Sequence, residues 1–245
     1  MTRLKKPSGR PTALGQPRSA ADYGRPLGRR PPAKTIRIFC EGTVTEPRYF
    51  EALIAVGRLR NARVRVYPGG GSKVTPKGLV AWAYAECQQL DWDWARDEAW
   101  CVFDVERAGT HRDLPQVMAS AKRKRIMVAV SNPAFEFWFL LHYECTDRCF
   151  EDANDVIRAL LSYLPNYEKT MGVFPHLRAN TEHAIACAQH LREHAELDWE
   201  GCPNPSIGVD RLVSTIWRLM HPTPESSAST PEASIVESEE KHRHR

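Results

Sequence analysis

Residues 36–47 read IRIFCEGTVTEP, and residues 99–106 read AWCVFDVE. Each is a short run of apolar, β-prone side chains that stops on an acidic residue. A run that is apolar at every position, such as AWCVF, suits a strand buried on both faces, the usual condition in a parallel sheet. In the first stretch, IRIFC predicts a strand over Ile36–Cys40, and Glu41-Gly42-Thr43 breaks it. A helix is expected immediately afterwards. Thr45 stands as its cap, Glu46 lies in the positive first turn, and Pro47 sits where no amide donor is needed.

Working outward, the same alternation continues. Phe50, Leu53, Ile54 and Leu59 give the first helix an apolar face. Residues 63–67, RVRVY, alternate like a strand with one solvated face, and PGGGSK follows as a flexible loop. Thr75-Pro76 opens a second helix to about Leu90, with Leu79, Val80, Trp82, Ala83 and Cys87 on its core side. A helix is expected over Asp113–Lys122 and a fourth strand over Ile126–Val130. Ser131-Asn132-Pro133 then breaks the chain and caps a helix, AFEFWFLLHY. The remainder reads as helical, over Asp152–Tyr163, Thr181–Glu196 and Gly208–Met220. Strands separated by helices imply an α/β fold with a parallel sheet and right-handed crossovers.

Charge divides the chain. Residues 1–34 hold nine basic side chains against Asp22 alone, a net of +8, which leaves −4 for the rest of a chain whose total is +4. This Pro-, Gly- and Arg-rich segment lacks the apolar content to offset the entropy of ordering, and is expected to be a disordered tail. Such a tail either grips phosphates electrostatically or is simply solvated. Residues 222–245 are a second low-complexity tail, so residues 35–221 form the expected domain. The basic start is followed by no apolar segment, which argues against a signal peptide. No stretch approaches the roughly 18 apolar residues of a membrane span. Seven cysteines at irregular spacing suit reduced thiols in a cytoplasm, and Cys40, Cys87, Cys101 and Cys187 read as core residues.

In parallel sheets ligands bind beyond the carboxyl ends of the strands. Glu41 follows the first strand there, Asp104 follows the third, and Glu106 lies two residues on, where period-two geometry points it to the same side. Carboxylate oxygens in such an arrangement suit Mg²⁺ or another hard divalent cation. A cation so held polarises a phosphodiester and steadies the leaving oxygen. Glu41 serves either as general acid or base or as a further ligand. Acidic residues are also ordinary turn and cap formers, and for Asp104 taken alone that simpler reading is favoured. Two such loops on one sheet shift the balance toward a site.

Other positions carry two readings each. Gly42 either lets amides approach an anion or only makes the turn. Glu46 is more often a helix-start charge than a ligand. Glu136 lies between Phe135 and Phe137, so its carboxylate needs a buried partner or a position facing a site. His142 reads as a helix-end histidine favoured by the dipole. Cys145 and Cys149 with His176 and His183 do not keep zinc-finger spacing, which argues against a zinc site there. The glycines of PGGGSK lack a P-loop pattern, and the seven tryptophans read as core.

Three segments together resemble the RloB family of bacterial restriction-modification and abortive-infection loci. They are IFCEGTVTEPRYFEAL (38–53), WCVFDVE (100–106) and SNPAFEFWFLLHYE (131–144), joined by NPSIGVDRLV (204–213). The resemblance runs over residues 35–218. It implies a Toprim-like, Rossmann-like parallel sheet flanked by helices, with a helical C-terminal portion. It also implies a glutamate after the first strand, matched by Glu41, and an acid pair after the third. Asp104 matches the first member of that pair, and Glu106 stands where the general Toprim pattern has aspartate. No tyrosine is marked as a nucleophile for strand passage. The resemblance therefore implies a Mg²⁺- or Mn²⁺-dependent nuclease of phage defence acting on DNA or RNA, with Glu41, Asp104 and Glu106 at its centre. Gly42, Glu46, Asn132 and Glu136 would be secondary site residues. The alternative is a non-catalytic regulatory or nucleic-acid-binding subunit that works with an ATPase partner.

Overall fold

A computed structural model describes residues 33–59, 61–70, 75–89, 92–105, 113–194 and 204–222. Residues 1–32 and 223–245 of the expected tails, half of the PGGGSK loop, Trp199 and Glu106 lie outside these residues, and Lys34, expected in the first tail, opens β1.

The alternating pattern resolves into a five-stranded sheet. The strands are β1 (Lys34–Cys40), β2 (Ala62–Tyr67), β3 (Glu98–Asp104), β4 (Met127–Asn132) and β5 (Ser206–Ile207). Their spatial order is β2-β1-β3-β4-β5. The first four run parallel, and β5 pairs antiparallel with β4 through Ser131↔Ile207 and Asn132↔Ser206. The expected parallel sheet flanked by helices is thus present, with one short antiparallel strand added at its edge. Two residues are too short a run to register as a strand in the sequence, and tertiary pairing alone defines β5.

Helices cover both faces: α1 (Thr45–Val56), α2 (Pro76–Cys87), α3 (Leu114–Arg123), α4 (Glu136–Leu140), α5 (Ala153–Leu160), α6 (Phe174–Leu177), α7 (Thr181–His194) and α8 (Val209–Met220). Thr75 caps α2 by accepting from the Gly78 N–H at 3.2 Å. Thr45 does not cap α1. It is the first helical residue, Val44 takes the cap position, and no side chain caps the helix. The helix expected over AFEFWFLLHY is only five residues long, because β4 runs on through Asn132 and turns replace the last third. The four-residue α6 was not foreseen. Among the described residues no helix is long and apolar enough to cross a membrane.

Side-chain parity along the strands sorts the core into two layers. Ile36, Ile38, Cys40, Trp100, Val102 and Ala129 face one layer with Tyr49, Phe50 and Leu53 of α1 and the aromatic run Phe135–Phe139. Phe39, Cys101 and Phe103 face the other, with Leu79, Val80 and Ala83 of α2 and Val117 of α3. Cys40, Cys87, Cys101 and Cys187 are all buried, as their apolar neighbours predict. β2 is the free edge. Its Val64 and Val66 turn inward, while Arg63 and Arg65 alternate with them on the exposed side.

One ion pair ties the start of the sheet together. The buried Asp97 carboxylate accepts from the Thr35 N–H at 2.9 Å and the Asp93 N–H at 3.0 Å, and Arg96 grips both of its oxygens. Burial alone would raise its pKa. The Arg96 hydrogen bond and the two backbone amides outweigh that, and hold it below the ordinary aspartate value. An Asp97→Ala variant leaves two amides and a guanidinium without their acceptor. Equilibrium urea unfolding is expected to show a loss of about 2 kcal/mol with an unchanged slope.

Candidate functional site

The strand order reverses between β1 and β3, and the chain leaves both strands at the same edge. That is the switch point at which open α/β sheets form a ligand crevice. The Glu41 N–H donates to the Val102 carbonyl at 2.9 Å, so the parallel register carries one residue past β1 and fixes Glu41 beside the end of β3. Gly69, after β2, donates to the Gly42 carbonyl at 3.1 Å. A Cβ at Gly69 would stand 2.0 Å from the Glu41 carbonyl oxygen, so only glycine lets this loop rest on the Glu41 backbone.

Asp104 continues the parity of Trp100 and Val102 and turns toward the layer holding α1 and α4. One oxygen, Oδ2, accepts from the Phe135 N–H at 3.0 Å. The other, Oδ1, is shut off from solvent and has no hydrogen-bond partner among the described residues. Burial, then the charge of Glu46, drives the Asp104 pKa well above the usual aspartate value. The Phe135 amide opposes this, and Glu136 and Glu41 add to the rise.

Glu46 comes up from the first turn of α1. Its carboxylate accepts from the Gly42 N–H at 3.2 Å. A Cβ at Gly42 would lie 2.3 Å from Glu46 Oε2, so the missing side chain lets the carboxylate tuck in. Burial raises the Glu46 pKa, and nearby Glu136 pushes the same way. Glu136, at the start of α4, is buried and accepts from the Tyr167 hydroxyl at 3.2 Å. Lys169 Nζ stands 3.8 Å from the same oxygen.

These groups line one cavity of about 350 Å³, with Glu41, Glu46, Asp104 and Glu136 as its acids and Lys169 and Thr170 on its wall. Glu41, Gly42, Glu46, Asp104 and Glu136 are therefore brought together as the sequence suggests. Asn132 is not among the lining residues. It ends β4 and pairs with Ser206 in the sheet. Glu106 lies outside the described residues. As placed, no three His, Cys, Asp or Glu side chains among those residues form a group that would hold one ion.

Sequence reasoning missed Tyr167, Lys169 and Thr170. Lys169 and Thr170 line the cavity from the segment after α5, and Tyr167 acts from behind it through a bond to Glu136 that spans 31 residues. No local pattern announces such a contact. His142 is a correction. The histidine expected to be cationic at a helix end is buried, its ring Nδ1 lies 2.8 Å from the Trp138 carbonyl, and burial pushes its pKa down to about 4.

A mostly parallel sheet with flanking helices, and an acid-lined crevice at its switch point, make this an α/β protein. The chain belongs to the RloB-like protein family, whose model matches residues 36–216. Comparison with curated proteins and with solved structures gave no match.

A buried carboxylate with one unpartnered oxygen costs stability until something compensates it. Asp104→Asn is expected to raise the Tm measured without divalent metal by a few degrees, since 1 kcal/mol is worth roughly 2–4 °C in a domain of this size. The sign with pH follows from the raised pKa of Asp104. A carboxylate raised in the fold stabilises at low pH and loses that contribution as pH rises through its folded value. The advantage of the Asn variant should therefore shrink as pH falls from neutral toward the carboxylate range. Differential scanning calorimetry at several pH values reads this directly.

Proposed function

We propose that this protein is a Mg²⁺- or Mn²⁺-dependent nuclease, a phosphodiester-cleaving component of bacterial phage defence. The observation that carries the reading is the unpartnered, buried Oδ1 of Asp104 among three further carboxylates on one cavity. The donor set is all oxygen and acidic, which fits a hard divalent cation rather than zinc or copper. Asp104, Glu46 and Glu41 would hold it only after their carboxylates, which do not converge on one point as placed, turn toward it, with Glu106 as a further candidate. A cation held there would supply positive charge to polarise a phosphodiester and to steady its leaving oxygen.

The chain's own residues supply the rest. The Phe135 amide keeps one Asp104 oxygen occupied and so aims the other. Tyr167 and Lys169 fix Glu136 and leave less negative charge on that wall, where a phosphate must approach. Glu41 sits on the half-exposed rim and takes a proton from an attacking water, or completes the metal shell. Gly69 holds the Glu41 backbone steady for either role. The basic residues of the first 34 positions add sequence-independent affinity for DNA or RNA.

A second reading is a regulatory subunit that binds metal or nucleotide without cleaving nucleic acid and works with an ATPase partner. It is favoured by the net −4 carried by residues 35–245, an unusual charge for a stand-alone nucleic-acid binder.

Incubation of labelled single- and double-stranded DNA and RNA with the full chain separates the two. Cleavage is expected with Mg²⁺ or Mn²⁺ and not with chelator, and Asp104→Asn should reduce it by at least about 100-fold while keeping a cooperative melt. Mg²⁺ should raise the Tm of the wild type and leave that of Asp104→Asn unchanged. Metal-independent cleavage, or an unimpaired Asp104→Asn enzyme, would sink the nuclease reading. No cleavage, together with co-purification of an ATPase, would select the second.

A further inference from the structure

β2 carries more on its outer face than an edge strand needs. Arg63, Arg65 and Tyr67 alternate with the inward Val64 and Val66, so all three stand on the α2 side of the sheet. Arg63 and Arg65 are exposed, and among the described residues no carboxylate forms an ion pair with either. Residues 35–245 carry a net −4, so these two guanidiniums are a local reversal of sign. Two residues along a strand span about 6.6 Å, close to the phosphate repeat of an extended single strand of nucleic acid.

Tyr67 completes the row. Its ring lies flat against Phe39 of β1, with centroids 4.5 Å apart and planes at 12°. Trp82 of α2 meets it edge-on at 6.0 Å. Phe39 takes the inner face of the ring, and β2 is the outermost strand, so the other face looks off the edge of the sheet. No further ring stacks on that face among the described residues. Arginines alone suffice to guard an edge strand, and a guard has no use for an aromatic ring beside them. Cations in a row with a fixed ring are the combination that holds single-stranded nucleic acid, the cations on phosphates and the ring on an unpaired base. The row also leads to the cavity. β2 runs parallel to β1, so Tyr67 lies at the edge where the crevice opens. Two residues on, Gly69 donates to the Gly42 carbonyl and rests on the Glu41 backbone at the cavity rim.

We propose that Arg63, Arg65 and Tyr67 form a binding track for single-stranded DNA or RNA, resting on the nuclease reading for the strand's destination. The two arginines take successive phosphates, Tyr67 stacks on a base, and the strand runs along the β2 edge toward the acidic cavity. A duplex offers no unstacked base to Tyr67 and is the poorer ligand.

Fluorescence anisotropy of labelled single strands and duplexes with the full chain tests this, with chelator present so that binding is read without cleavage. Arg63→Glu combined with Arg65→Glu changes exposed positions and so spares the fold. It should weaken single-strand binding about tenfold or more, and flatten the slope of log affinity on log salt by about 1.4, the amount for two phosphates of a single strand. Tyr67→Leu should weaken binding about fivefold or more with the slope unchanged, because it removes stacking and no charge. Lys122→Glu combined with Arg123→Glu makes the same charge change on exposed residues of α3, and should cost less than about twofold at physiological salt. The track is overturned by an equal loss in the two charge-reversed pairs, by wild-type affinity in the Arg63 and Arg65 pair, by no single-strand binding, or by a duplex bound as tightly. Single-strand binding through these residues with no cleavage in Mg²⁺ or Mn²⁺ overturns the nuclease reading and leaves the track standing. Cleavage whose KM is unaltered by the Arg63 and Arg65 pair does the reverse.

Discussion

The parallel pairing of β1 with β3 is the constraint on which the rest depends. It places two strand ends side by side with no intervening strand, because the chain that left β1 went out to the edge as β2 before returning. The hydrogen bond from Glu41 to Val102 extends that pairing one residue past β1. Everything at the cavity is indexed to it. Asp104 turns toward α1 because of its parity in β3, Glu46 descends from the helix that follows Glu41, and Phe135 reaches Asp104 after the neighbouring strand ends. A one-residue slip of β3 would turn Asp104 into the opposite layer, among Phe39 and Phe103.

Two aspartates near the ends of β3 show how differently this protein treats its buried acids. Asp97, just before the strand, is saturated with donors, and its pKa falls. Asp104, at the other end, has one oxygen bonded and one bare, and its pKa rises. The first contributes stability and the second costs it. Functional sites are the places where such a deficit is tolerated, because the groups that make it are aimed at something other than the protein.

Most of the sheet was legible in the sequence, since IRIFC, RVRVY, AWCVF and IMVAV are periodic or uniformly apolar over lengths that strands occupy. The acids at Glu41 and Asp104 could be placed because strand ends are where site residues collect. Glu46 and Glu136 were visible as carboxylates in awkward settings, although their roles were not. What escaped has a common cause: it depends on contacts between distant segments. β5 exists only through its pairing with β4, and Tyr167 and Lys169 matter only because the chain after α5 folds back over Glu136. His142 was misjudged because its position at a helix end is local information, whereas its burial against the Trp138 ring is not.

The two edges of the sheet are finished in different ways. At one, β5 runs against β4 for two residues and uses its open hydrogen-bonding positions. At the other, β2 has an unpaired side among the described residues but carries Arg63 and Arg65 on its exposed face. A second copy of the chain trying to extend the sheet through β2 would set arginine against arginine, and the like charges would oppose docking. For a protein whose buried acids already reduce its margin of stability, edges that refuse to polymerise are a safeguard against aggregation when the fold loosens.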